Sequence, residues 1–136
     1  MSPVLAFSLL GALLVVGVIA GAAIRLLDGR RRGGGHLLFD AAHSDGELGA
    51  TATLVQFSTE TCARCPQVRR MLSDIAADGD GLEHVEVDLT HRPDLSTRYR
   101  VLQTPTTFVV GPDGIVRARF NGVPRRDALS EALAAV

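Results

Sequence analysis

The sequence predicts an α/β domain with a mixed central sheet, preceded by one membrane-spanning helix. Three observations carry this. Met1 to Ile24 contains no charged side chain and is dominated by Leu, Val, Ala and Gly. The run Thr53–Ser58, rich in β-branched and aromatic residues, leads directly into apolar residues at helical spacing and then into an alternating run, Leu82–Asp88. Two further strand-like runs flank Gly111-Pro112-Asp113-Gly114, a turn sequence.

The domain organisation follows as an anchor over residues 1–27, a basic glycine-rich linker over 28–35 and a folded domain over 36–136. Residues 3–24 are uninterruptedly apolar or small. A helix of that length reaches about 33 Å at 1.5 Å per residue, enough for a hydrocarbon layer of about 30 Å. The alternative is a cleaved signal peptide, for which Ala20-Gly21-Ala22 offers a small-x-small site. Against it, no Lys or Arg precedes the apolar stretch, and that stretch exceeds the usual h-region of about 7–15 residues. Arg25, Arg30, Arg31 and Arg32 all follow the helix. The positive-inside bias therefore predicts a single-pass protein with its soluble domain in the cytoplasm, an extracytoplasmic domain being the alternative. Gly17 and Gly21 form a G-x-x-x-G pair, either a close-packing helix face or merely the small residues common in such helices.

Asp28 to Gly35 reads as a charged linker without a fixed conformation. Leu37, Leu38 and Phe39 suggest a short strand, and Ser44 to Glu47 resembles a capping box opening a brief helix. A central strand is expected at Thr53–Ser58. A helix from Cys62 to Ala77 presents Val68, Met71, Leu72, Ile75 and Ala76, and Asp78 to Gly81 ends it. After the second strand, Thr90 looks like the N-cap of a short helix running to Tyr99, with Pro93 in its first turn. Thr106–Val110 and Ile115–Phe120 make a hairpin with antiparallel edge strands. Pro124–Val136 closes the chain as an amphipathic helix carrying Leu129, Ala132, Leu133 and Val136.

Charge narrows the function. All 14 basic residues are Arg, and ten of them lie beyond residue 35 against 14 acidic residues, a formal −4 for the soluble part. That excludes a nucleic-acid face, which needs clustered positive charge. The two cysteines stand three apart in a domain large enough to fold without staples, so they point to chemistry or to metal.

Cys62-Ala63-Arg64-Cys65 sits where a strand hands over to a helix. Cysteines at i and i+3 share a helical face and are close enough to bridge. At a helix start, unpaired N–H groups and the macrodipole favour an anion, so Cys62 is expected to be the attacking thiolate. Cys65 is then the buried resolving thiol that releases the mixed disulfide. Arg64, between them, either favours the thiolate by its charge, with Glu60 opposing, or is simply solvated.

The run Leu54 to Cys65, followed by Val87-Asp88, Tyr99, Thr104-Pro105-Thr106 and Gly122, resembles the thioredoxin family over about residues 53–135. The resemblance implies a thioredoxin-like three-layer α/β/α sandwich and a thiol–disulfide oxidoreductase needing no cofactor. Its partners would be proteins with disulfides or thiols and a reducing partner, one of them expected at the membrane that residues 3–24 enter. It also implies a cis Pro105 facing the redox pair, and a Thr104 whose backbone bonds an extended substrate strand. The chain departs from the family at several places. Thr61 replaces the family's Trp, and Ala63-Arg64 replace its Gly-Pro. Gln56 stands where relatives keep a buried Asp as proton acceptor, and Glu86 stands where they keep its Lys partner. Proton transfer is then expected through water or Glu86.

Two rivals belong to other classes. Zinc would need Cys62 and Cys65 joined by two of His36, His43, His84 and His91, and no close His pair exists to supply them. A non-catalytic thioredoxin-fold module for redox sensing or binding at the membrane is the other.

Overall fold

Side-chain alternation along the central strands sorts the core into two layers, one on each face of the sheet. The computed structural model describes residues 2–136. Its elements are α1 (Pro3–Leu27), β1 (Arg31–Gly33), β2 (Ala52–Ser58), α2 (Cys65–Asp78), β3 (Leu82–Asp88), α3 (Pro93–Arg98), β4 (Thr106–Val110), β5 (Val116–Asn121) and α4 (Arg126–Ala134). The five strands form one sheet in the order β1-β5-β4-β2-β3. Only β2 and β3 run parallel, joined by α2 as a crossover. The other neighbouring pairs are antiparallel.

On one face, Leu54, Val109, Ala118 and Phe120 pack against Val68 and Leu72 of α2 and Leu129 and Ala132 of α4. On the other, Val55, Phe57, Phe108 and Val110 meet Leu95 and Tyr99 at α3 and Phe39 of the preceding loop. The result is the expected three-layer α/β/α sandwich. Tyr99 is fully buried among Phe39, Phe57 and Phe108, and its hydroxyl is held by His43 Nδ1 at 2.6 Å and by the Asp40 N–H at 3.1 Å.

α1 is 25 residues long, with no buried residue, and is long and apolar enough to cross a membrane. Beyond it the structure differs from the sequence reading in ways that matter for the site. Arg31–Gly33, expected in a linker without fixed conformation, pair with Phe120, Arg119 and Ala118 of β5. The hairpin strand β5 is therefore internal, and β1 and β3 are the edges. Leu37–Phe39 continue along the same strand through the Val116 N–H to Leu37 carbonyl bond (2.9 Å) and the Phe39 N–H to Gly114 carbonyl bond (2.8 Å). Arginine and glycine carry no strand signal of their own. Register against β5 supplies it here.

Three local expectations are corrected. A single 3-10 turn, Ala41–His43, forms upstream of Ser44 and is capped by Asp40, whose carboxylate accepts from the Ala42 N–H. Ser44 instead donates to the Ala41 and Gly46 carbonyls. α3 starts at Pro93 with Arg92 as N-cap, because Asp88 Oδ1 already accepts both the N–H and the hydroxyl of Thr90. The redox helix begins at Cys65 and not at Cys62.

α2 is also clasped to β3 by polar groups. Arg69 donates twice to Glu86, at 2.5 and 2.6 Å, and Ser58 Oγ donates to the same carboxylate at 2.5 Å. Ser73 Oγ meets His84 Nδ1 at 2.9 Å, and His84 Nε2 faces Gln56 Oε1 at 3.2 Å. Arg69's hydrogen bonds hold the Glu86 carboxyl below its ordinary 4.5, and burial holds His84 below its ordinary 6.5.

Both shifts have the same sign for stability. The unfolded chain takes up protons at a higher pH than the folded one, so each contribution is complete above the ordinary value and fades as pH falls toward the depressed one. Urea unfolding at a series of pH values should therefore show a slope starting near 6.5 that is flattened in His84→Gln, and a second slope below about 4.5 flattened in Glu86→Gln. A second prediction concerns Gly29, which is buried at φ +71° where a Cβ would run into the Val123 carbonyl. Gly29→Ala should cost about 1–3 kcal/mol in thermal or urea unfolding of the detergent-solubilised chain. Gly17→Ala, with nothing within 4 Å, should not destabilise it.

Candidate functional site

β2 is buried along its whole length and bonded on both sides, so its carboxyl end is a fixed point. The chain leaves it at Ser58, makes a turn closed by the Cys62 N–H to Thr59 carbonyl bond (3.2 Å), and enters α2 at Cys65. Pro66 fits this first turn because the N–H it lacks would have had no partner within the helix. The N–H groups of Cys65 and Gln67 find no carbonyl partner among the described residues. They leave positive dipole ends beside the motif.

Cys62 and Cys65 are joined as a disulfide, with Cα atoms 5.5 Å apart, well within the ordinary range. The structure is thus the oxidised form. Cys65 is 2% exposed, whereas Cys62 is only half-buried and open to the surface. Arg64, exposed, is the N-cap residue of α2.

The peptide bond between Thr104 and Pro105 is cis. Thr104 Oγ1 lies 3.4 Å from Thr59 Oγ1 in the turn before Cys62. The Pro105 carbonyl accepts from the Gly122 N–H at 2.8 Å, tying the start of β4 to the end of β5. Cys62, Arg64, Thr104, Pro105 and Gly122 line one open groove of about 310 Å3. One peptide edge of the groove, that of Thr104, is free. Neither the N–H nor the C=O of Thr104 takes a hydrogen-bond partner among the described residues.

Gln56 is fully buried beneath the motif, and its Nε2 donates to the Cys65 carbonyl at 2.9 Å. It is a fixed amide, not a proton acceptor. Glu86 sits opposite it in the β2–β3 register, with Arg69 and Ser58 occupying its oxygens. Of the residues singled out from sequence, Cys62, Arg64, Thr104 and Pro105 converge on the groove, Cys65 and Gln56 lie under it, and Glu86 lies to one side on β3. Among the described residues no three His, Cys, Asp or Glu side chains converge as metal ligands would.

Asp28 was missed. It lines the groove together with Cys62 and Gly122 although it precedes the whole soluble domain. Nothing in its sequence neighbourhood separates it from linker. The signal lies in the pairing of β1 with β5, which brings the residue back to this end of the sheet.

The thioredoxin family profile matches residues 39–135. A thioredoxin of Staphylococcus aureus is 27% identical over 93 residues, spanning 68% of this chain and 88% of that protein. The mitochondrial thioredoxin 3 of Saccharomyces cerevisiae, in its oxidised form, superposes with a TM-score of 0.55 at 20% identity over 63% of this chain and 79% of its own. A chloroplastic thioredoxin z superposes equally well, at 26% identity over 63% of this chain and 78% of its own. The chain therefore belongs to the thioredoxin family, and thiol–disulfide redox chemistry is what its Cys62–Cys65 pair supports.

Proposed function

We propose that this protein is a membrane-tethered protein-disulfide reductase that works through a Cys62/Cys65 dithiol. The observation that carries the reading is the asymmetry of the pair: one sulfur opens onto a groove edged by the unbonded N–H and C=O of Thr104, and the other is buried behind it.

In the reduced state Cys62 stands just ahead of the α2 start, where the helix end favours an anion by about 1 kcal/mol. Its thiolate attacks a substrate disulfide, forming a mixed disulfide and expelling one substrate thiolate. An extended substrate segment pairs with the free N–H and C=O of Thr104, beside Pro105, which aligns its sulfur with Cys62. Cys65 then attacks Cys62 Sγ, the internal disulfide closes and the second substrate thiolate leaves. Two electrons have passed to the substrate, and an external dithiol or reducing partner restores the pair.

With Gln56 in place of a carboxylate, the proton leaving Cys65 has no buried acceptor. Glu86, occupied by Arg69, is a weak one, so water entering the groove takes the proton. Gln56 instead holds the first turn of α2 through the Cys65 carbonyl and keeps the buried sulfur in place.

Residues 3–24 are proposed to span the membrane, with Arg25 and Arg30–Arg32 keeping the domain cytoplasmic. The sulfur roles are tested with insulin and dithiothreitol. Wild type should accelerate insulin reduction, and Cys62→Ser should fall to the rate of dithiothreitol alone. Cys65→Ser should accumulate mixed disulfides through Cys62 that mass spectrometry resolves. Absence of wild-type turnover would leave a non-catalytic binding module. For topology, alkaline phosphatase fused after Val136 should be inactive in cells, and an active fusion would place the domain outside.

A further inference from the structure

The chain never leaves the domain after its anchor. α1 ends at Leu27, and the Asp28 N–H caps it on the Ile24 carbonyl at 3.0 Å. The next residue, Gly29, donates to the Asn121 carbonyl at 2.7 Å, and by Arg31 the chain is a strand of the sheet. It joins β5 at the end where Asn121 and Gly122 stand beside Pro105, which is the redox end of the sheet. Asp28 thus lines the Cys62 groove, with its carboxyl carbon 3.2 Å from where a Cβ on Gly122 would lie. On its other side Arg25, Arg64 and Arg125 border an adjoining hollow of about 520 Å3.

We infer that the redox groove is held at the membrane surface and acts on disulfides at that same height, in the juxtamembrane segments of integral membrane proteins. The inference rests on the proposed transmembrane helix and on the proposed exchange through Cys62. The first residue past the apolar helix is already a wall of the groove, and the buried Gly29 turn removes the play a tether would give. Arg25 and Arg64 at the helix foot, with Arg125 beside them paired to Asp127, face the level of the lipid phosphates, where positive charge is drawn to an anionic surface. They seat the domain with the groove at the interface. A substrate anchored in the same bilayer meets Cys62 at high effective concentration, and a disulfide far above the bilayer does not. The reaction is unchanged. Cys62 and Cys65 pass two electrons to the substrate disulfide, two substrate thiols are released, and an added dithiol re-reduces the pair.

The test uses the full chain in vesicles of phosphatidylcholine and phosphatidylglycerol, with dithiothreitol as reductant. Two synthetic single-span peptides carry the same disulfide loop, one directly at the helix end and one on a Gly/Ser spacer of about 20 residues, roughly 25 Å. Wild type should reduce the proximal loop about tenfold faster than the distal one. A Gly/Ser insert of about 12 residues between Leu27 and Asp28, roughly 20 Å, should erase that preference. Insulin reduction should be the same in both proteins. Equal rates on the two peptides, or a preference that survives the insert, with insulin reduction intact, would overturn the inference alone. Loss of insulin reduction in wild type would sink the exchange reading itself, and release of the chain by carbonate washing would sink the transmembrane one.

Discussion

Everything at the redox site hangs on the fixed carboxyl end of β2. This strand is hydrogen-bonded to β3 on one side and β4 on the other, and all seven of its residues are buried. A strand held that firmly delivers the turn that follows it to one place. The parallel partner requires a crossover connection, here α2, which starts at Cys65 after the short turn that follows Ser58. A dithiol written between the two is therefore carried on the rigid part of the molecule. The antiparallel neighbour β4 begins at the same end, which brings Thr104 and Pro105 across from Cys62 without any loop having to reach.

The electrostatics beneath the motif have been rebuilt around neutral and paired groups. Gln56 reaches the Cys65 carbonyl with its amide and His84 with its oxygen, and His84 in turn meets Ser73 of α2. With Gln56 Nε2 committed as a donor, its Oε1 requires His84 Nε2 to carry a hydrogen, which leaves Nδ1 facing the Ser73 hydroxyl. Among the described residues the charged pair near this network is Arg69–Glu86, half open to solvent, a setting in which an ion pair is worth little. The layer under the cysteines is one of orientation, with little stored charge.

Sequence carried much of this. Thr53–Ser58, Leu82–Asp88 and the hairpin around Gly111–Gly114 declare themselves because alternation and turn chemistry are local properties. The cysteine pair and the Thr104-Pro105 dipeptide were equally plain. What escaped was non-local. Arg31–Gly33 have no strand propensity, and only the partner β5 makes them one. Thr90 has the chemistry of an N-cap, yet Asp88 two residues earlier captures its groups first. Asp28 escaped for the same reason as β1, since its place at the groove follows from where the chain re-enters the sheet.

Strand β1 has a practical corollary for anyone preparing the soluble part alone. Severing the chain at the glycines, where composition suggests a boundary, would strip β5 of its neighbour and leave a row of unsatisfied amide and carbonyl groups. Such a bare margin recruits strands from other copies, and the fragment would tend to self-associate. Cutting ahead of Asp28 keeps the margin covered.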